Sequence, residues 1–203
     1  MQFPRAQILI FAKAPEAGKV KTRLIPVLGA EGAADLYRQL LRSTIQWIVA
    51  AEIAPLICCC APDAAHPEFQ QLAREQGIRL ETQVGADLGE RMAQAASCQL
   101  ASGGPLLLIG GDCPALQAGH LLQALDWLKG GCDAVIGPAE DGGYVLLGLN
   151  KSGPALFQGI AWGSDSVLDE TRRRLRQLGW QWRELELLWD LDRPADLERL
   201  RAL

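Results

Sequence analysis

Four cations, Lys13, Lys19, Lys21 and Arg23, surround a single glycine, Gly18, in the segment 11–24. The segment follows an apolar run, residues 7–12, patterned as a strand. A loop that leaves a buried strand with this much fixed positive charge suits a polyphosphate. Glycine lets backbone N–H groups approach oxygens, and the cations balance their charge. A solvated, lysine-rich turn is the other reading of the same residues. The spacing is not a Walker A motif, because Lys13 stands where its first glycine belongs and Val20 replaces the hydroxyl residue. No Gly-x-Gly-x-x-Gly fingerprint occurs at this strand end either.

Carboxylates supply the second half of the chemistry. Asp112 lies in Gly-Gly-Asp-Cys-Pro, residues 110–114, after the most apolar run of the chain. Two glycines and a proline fix a tight turn from which one carboxylate can meet Mg²⁺ or Mn²⁺, ions that take hard oxygen ligands and keep several waters. The same aspartate serves equally well as a turn or N-cap residue. Asp190 and Asp192 stand two apart, on one side of the chain if it is extended, and would complete a metal set with Asp112. Asp192 alternatively caps the helix that Pro194 begins. Asp141, with Glu140 before it and Gly142 and Gly143 after it, reads either as a loop meeting a substrate or as a plain hairpin turn. Residues 83–92 form a glycine-containing turn into a helix, offering Gln83, Gly85 and Gly89 to a base or ribose. Cys113 lacks a base at a suggestive spacing, since His66 and His120 are the only histidines.

The elements that must hold these residues alternate. The spacing predicts strands at 7–12, 55–61, 78–84, 105–109, 133–136 and 144–149. Helices are expected at 30–51, 67–76, 88–101, 117–128, 166–178 and 194–200, with 180–187 extended. This alternation implies an α/β three-layer sandwich with a mixed, mainly parallel sheet, because 133–136 and 144–149 lie too close for a crossover helix. Ligands of such sheets bind beyond the carboxyl ends of the strands, where Lys13, Asp112 and Asp141 all stand.

With 203 residues, 49% of them hydrophobic, the chain is expected to form a single domain over 1–203. A net charge of -4 argues against a nucleic-acid partner. No apolar run is long enough to cross a bilayer and no leader peptide is evident, so a soluble, cytoplasmic protein is expected. Six cysteines without a Cys-x-x-Cys pair read as buried, reduced thiols. Arg172, Arg173, Arg174 and Arg176 read as a solvated helix face.

Taken in order, these motifs, together with Gly-Gly-Tyr at 142–144, Trp162, Val167 and Thr171, resemble the nucleotide-diphospho-sugar transferase superfamily with its GT-A fold. They are most like a bacterial group labelled arsenosugar-biosynthesis glycosyltransferases, and more distantly like guanylyltransferases acting on molybdenum cofactor and phospholactate. The resemblance implies that Lys13, Gly18, Lys21 and Arg23 hold nucleotide phosphates and that Asp112 binds a divalent metal. The chain departs from that pattern in lacking Asp-x-Asp at Asp112 and in having one glycine in the first loop.

Two chemistries fit. The first is nucleotidyl transfer from a nucleoside triphosphate to a small phosphorylated acceptor, with release of pyrophosphate, in which Lys21, Arg23 and Asp141 act at the reacting groups. The second is glycosyl transfer from a nucleotide sugar, with Asp141 or Glu140 activating the acceptor hydroxyl. The cation count favours the first, because a triphosphate carries about four negative charges. A non-catalytic nucleotide-binding domain is a third reading.

Overall fold

The computed structural model describes residues 1–200. Its chain order is β1 (Gln7–Lys13), α1 (Ile25–Ala51), β2 (Leu56–Ala61), α2 (Pro67–Gln76), β3 (Arg79–Thr82), α3 (Leu88–Leu100) and β4 (Leu106–Gly110). There follow α4 (Ala118–Lys129), β5 (Ala134–Pro138), β6 (Tyr144–Leu149), α5 (Val167–Gln177), β7 (Trp182–Glu184) and α6 (Asp196–Leu200). The strands form one sheet in the order β3-β2-β1-β4-β6-β5-β7. All pairings are parallel except those of β6, which runs antiparallel to both β4 and β5. The expected mixed, mainly parallel α/β sandwich is therefore the observed one.

Alternation within the strands divides the core. Ile8, Ile10, Cys58, Cys60, Leu107 and Ile109 face one layer, with α1, α2 and α4. Leu9, Ile57, Cys59, Leu106 and Leu108 face the other, with α3 and α5. The period of two along each strand produces this division, and coverage on both faces explains why β4 is continuously apolar. The six cysteines are all free. Cys58, Cys59, Cys60 and Cys113 are buried as expected, whereas Cys98 is exposed and Cys132 half-buried. Arg172, Arg173 and Arg174 of α5 pair with Asp169, Glu170 and Glu184, and Arg176 lies over the Trp182 ring.

Two features position the site. Chain order reverses between β1 and β4, so their carboxyl ends open a crevice at the switch point. The segment after β7 then crosses back toward the start of α1, where Leu191 packs with Leu24 and Ala33. It is pinned to the turn after β4: Leu191 N–H donates to the Asp112 carbonyl at 3.5 Å, and Cys113 Sγ to the Trp189 carbonyl at 3.2 Å. No helix among the described residues is long and apolar enough to cross a membrane.

Candidate active site

A cleft of about 770 Å³ opens over the ends of β1 and β4. Lys13, Lys19, Lys21, Arg23, Gln83, Asp112, Asp141, Asp190 and Asp192 all line it. Residues separated by up to most of the chain are thus gathered at one edge of the sheet.

Lys21 is the cation whose position the sequence concealed. Its side chain is 3% exposed, with Nζ 2.7 Å from Asp112 Oδ2 and 3.6 Å from Asp192 Oδ1. The backbone reaches this place in a left-handed conformation, φ 46° and ψ 42°, which costs a non-glycine residue roughly 1 kcal/mol or more. Burial alone would lower the ammonium pKa. Asp112, then Asp192 and Asp190, outweigh that and raise it. Arg23 is exposed and pairs with Asp192, and Lys19 pairs with Glu16. Lys13 makes no ion pair among the described residues. Its backbone N–H donates to the buried Tyr37 hydroxyl at 3.0 Å, which anchors the first residue of the loop.

Other carboxylates of the lining have fewer partners. Burial, then the nearby Asp141 and Asp112, push the Asp190 carboxyl up to about 6. Asp141 is exposed, and its Oδ1 accepts from Gly143 N–H at 2.9 Å. Glu140 points elsewhere, accepting two bonds from Arg199 at 2.7 and 3.0 Å, and that guanidinium holds its carboxyl below the usual range. Glu140, the alternative acceptor-activating carboxylate, does not line the cleft and ties α6 to the turn after β5.

Among the described residues, no group of three or more Asp, Glu, His or Cys side chains is spaced to cage a metal unaided. The Lys21 ammonium stands between Asp112 and Asp192, and Arg23 takes the remaining face of Asp192. The donor set still fits a hard divalent cation in part. Asp190 is a desolvated carboxylate facing two others, an arrangement a cation relieves, and such ions complete their shells with water and phosphate oxygens.

Gln83 is fixed in an informative way. Its amide nitrogen donates to the Ala12 carbonyl at 3.1 Å and the Cys59 carbonyl at 2.7 Å. Two carbonyl partners settle which end of the amide is nitrogen, so Oε1 is the atom left for the cleft, and it accepts. The sequence offered both functions; one remains. The glycines also differ from expectation. Gly89 is buried beneath Trp162, where a Cβ would overlap Trp162 Nε1 and lie 2.8 Å from the Phe157 carbonyl oxygen. Gly85 shapes the turn into α3, and its carbonyl receives Arg91 Nε at 3.0 Å. Gly18 adopts φ +78° in an exposed turn with open space around it.

Residues that the sequence reading left without a role join the lining: Arg91, Met92, Tyr144 and Trp162. Arg91 was legible as a cation one turn into a helix that begins at the cleft. The fit of Trp162 onto a glycine far along the chain was not.

The comparisons agree with this geometry. Residues 44–164 match the family described as "Uncharacterized protein conserved in bacteria (DUF2064)". Comparison with curated proteins gave no match. Among solved structures, a candidate nucleotide-diphospho-sugar transferase from Desulfovibrio desulfuricans G20 is 36% identical, with a TM-score of 0.88 over 97% of this chain and 86% of that one. A nucleotidyl transfer enzyme from Methanothermobacter shares the fold at 16% identity, with a TM-score of 0.64 over 97% of this chain and 96% of that one. A cytidylyltransferase from Leptospira borgpetersenii does so at 12%, with a TM-score of 0.62 over 98% and 86%. The fold is thus that of nucleotide-diphospho-sugar transferases, and the chain belongs to the DUF2064 family of bacterial proteins.

Proposed function

We propose that the protein is a transferase that uses a nucleotide donor and a divalent metal, and that the group it moves is a sugar carried on a nucleoside diphosphate. One observation carries this reading: a cleft at the sheet's switch point is lined both by the cations of the loop after β1 and by carboxylates, Asp190 and Asp141, that make no ion pair among the described residues. The name of the 36% identical structure, and the motif likeness to arsenosugar-type glycosyltransferases, support the same reading.

The state of the cations shifts the balance between the two chemistries. Lys19, Lys21 and Arg23 already hold carboxylates of this chain, which leaves less free charge than a triphosphate and departing pyrophosphate demand. A diphosphate donor asks for less. Lys13 and Arg91 bind and orient its phosphates, and the Lys21 ammonium, held by Asp112, adds fixed positive charge beside them. Asp112 and Asp190 would hold the metal, which supplies charge neutralisation at the diphosphate when bound. The acceptor hydroxyl attacks the sugar's anomeric carbon, the bond from that carbon to the diphosphate oxygen breaks, and the nucleoside diphosphate leaves. Asp141, held by Gly143, takes the hydroxyl proton.

Nucleotidyl transfer is the second reading, favoured by the total of five cations lining the cleft once Arg91 is added to the loop. Incubation with Mg²⁺ and separate panels of nucleotide sugars and nucleoside triphosphates tests the choice. Slow release of free nucleoside diphosphate from one nucleotide sugar is expected. Pyrophosphate release from a triphosphate, with every nucleotide sugar intact, would replace the first reading by the second.

A further inference from the structure

Resting on the donor reading above, we propose that the acceptor is an uncharged hydroxyl compound with a hydrophobic face, seated against Trp162 and Tyr144, and not a phosphate ester. The wall of the cleft built from the start of β6 and the loop 162–167 contributes Tyr144, Val145, Trp162, Ser164 and Val167 to the lining, and no cation. Among the lining residues, the carboxylate nearest this wall in sequence is Asp141. An anionic acceptor would meet carboxylate without compensating charge there. A sugar ring or aryl alcohol would meet aromatic surface and hydrogen-bonding groups.

The wall is built and held. Gly142, at φ +86°, lies so close to the Asp165 carbonyl that no side chain fits, and its own carbonyl accepts from Leu168 N–H at 2.9 Å. These contacts clamp the loop onto the turn that carries Asp141. Trp162 is seated on Gly89 of α3, and Tyr144 meets it edge to face with ring centroids 6.5 Å apart. Burial pushes the Tyr144 hydroxyl's pKa up, with the neighbouring Thr171 opposing the shift. The Nε1 edge of Trp162 rests against Gly89, so the ring face is what this residue offers an acceptor. Arg91, the cation that α3 brings to the cleft, donates Nε to the Gly85 carbonyl and turns its remaining N–H groups to the donor phosphates of the reading above.

Saturation-transfer NMR without nucleotide tests this, using phenyl β-glucoside and phenyl phosphate, which share an aryl face and differ in charge. Wild-type protein is expected to bind the glucoside more tightly than the phosphate. Trp162→Ala should weaken glucoside binding about tenfold and Trp162→Phe about threefold, for loss of the whole indole surface and of part of it respectively. Nucleoside diphosphate affinity, measured separately, should stay within about twofold in both variants, which also verifies their fold. If Trp162→Ala does not fold, Trp162→Phe carries the test. Tighter binding of phenyl phosphate, no glucoside binding, or glucoside affinity unchanged in the variants would overturn the proposal. Failure of nucleoside diphosphates to bind wild-type protein counts against the donor reading instead, since the acceptor measurement contains no nucleotide.

Discussion

Lys21 Nζ lies 2.7 Å from Asp112 Oδ2, joining the loop after the first strand to the turn after the fourth. The same ammonium reaches Asp192 at 3.6 Å, so one buried cation ties three distant segments together at the cleft. Read as a sequence, this lysine serves a ligand alone, and its loss should spare the fold. The structure gives it a task in the fold, and the proposed function adds the ligand. Lys21→Ala is expected to cost roughly 1–3 kcal/mol of stability, read from urea unfolding, because Asp112 and Asp192 lose their partner. Nucleoside diphosphate affinity should fall about tenfold. Unchanged stability would mean that water replaces the ammonium without penalty.

Asp190 gives the site a pH signature. Its carboxyl is raised to about 6, above the ordinary 3.8, so the folded protein holds that proton more tightly than the unfolded chain. The resulting stabilisation is fully present below about 4 and is lost as pH rises through about 6. In chelator, Asp190→Asn should therefore raise the melting temperature clearly at pH 7.5 and much less at pH 4.5. Mg²⁺ should raise the melting temperature of the wild type at pH 7.5 more than that of the variant. Equal responses to Mg²⁺ would take Asp190 out of the metal site.

Gln83 makes a test of polarity at nearly constant shape. Its amide donates to two backbone carbonyls, a task a carboxylate cannot perform. Gln83→Glu should destabilise more than Gln83→Ala at pH 7, by about 1 kcal/mol or more, as judged by urea midpoints. The opposite order would indicate that the amide is not held as described.

Much of the scaffold was legible because its signals are local. Pro67 at the first turn and Gly77 after the last fix α2 at both ends, and the helix occupies 67–76 as expected. Strand β6 matches its expected span, Tyr144–Leu149. Near the ends of the sheet the pattern overran: β3 is Arg79–Thr82 and β7 only Trp182–Glu184, where apolar residues continue beyond the hydrogen-bonded partners. A short helical stretch from Ile25 precedes a break at Gly29, φ +71°, and the long helix beyond that break matches the expected 30–51. The loop cations and the aspartates at strand ends were legible because topology places such positions at the cleft. What the side chains do there was not. The burial of Lys21, the diversion of Glu140 to Arg199, and the seat of Trp162 on Gly89 all depend on partners far along the chain.

Gly89→Ala examines that last contact. The added methyl meets Trp162 and the Phe157 carbonyl, and overpacking of this kind costs typically 1–3 kcal/mol. Binding of phenyl β-glucoside should weaken with the displaced indole, while nucleoside diphosphate binding changes little. Loss of nucleoside diphosphate binding alone would restore Gly89 to the nucleotide site.

The central claim is that a nucleoside diphosphate lies over the loop after β1 and engages Lys13. Calorimetric titration of the four common nucleoside diphosphates, with Mg²⁺ and with chelator, into wild type and Lys13→Ala measures it directly. One nucleotide should bind the wild type, about tenfold more weakly in chelator and about tenfold more weakly to Lys13→Ala, a variant of an exposed side chain. Binding that is equally tight in Lys13→Ala and indifferent to Mg²⁺, or no binding by any of the four, would contradict the account.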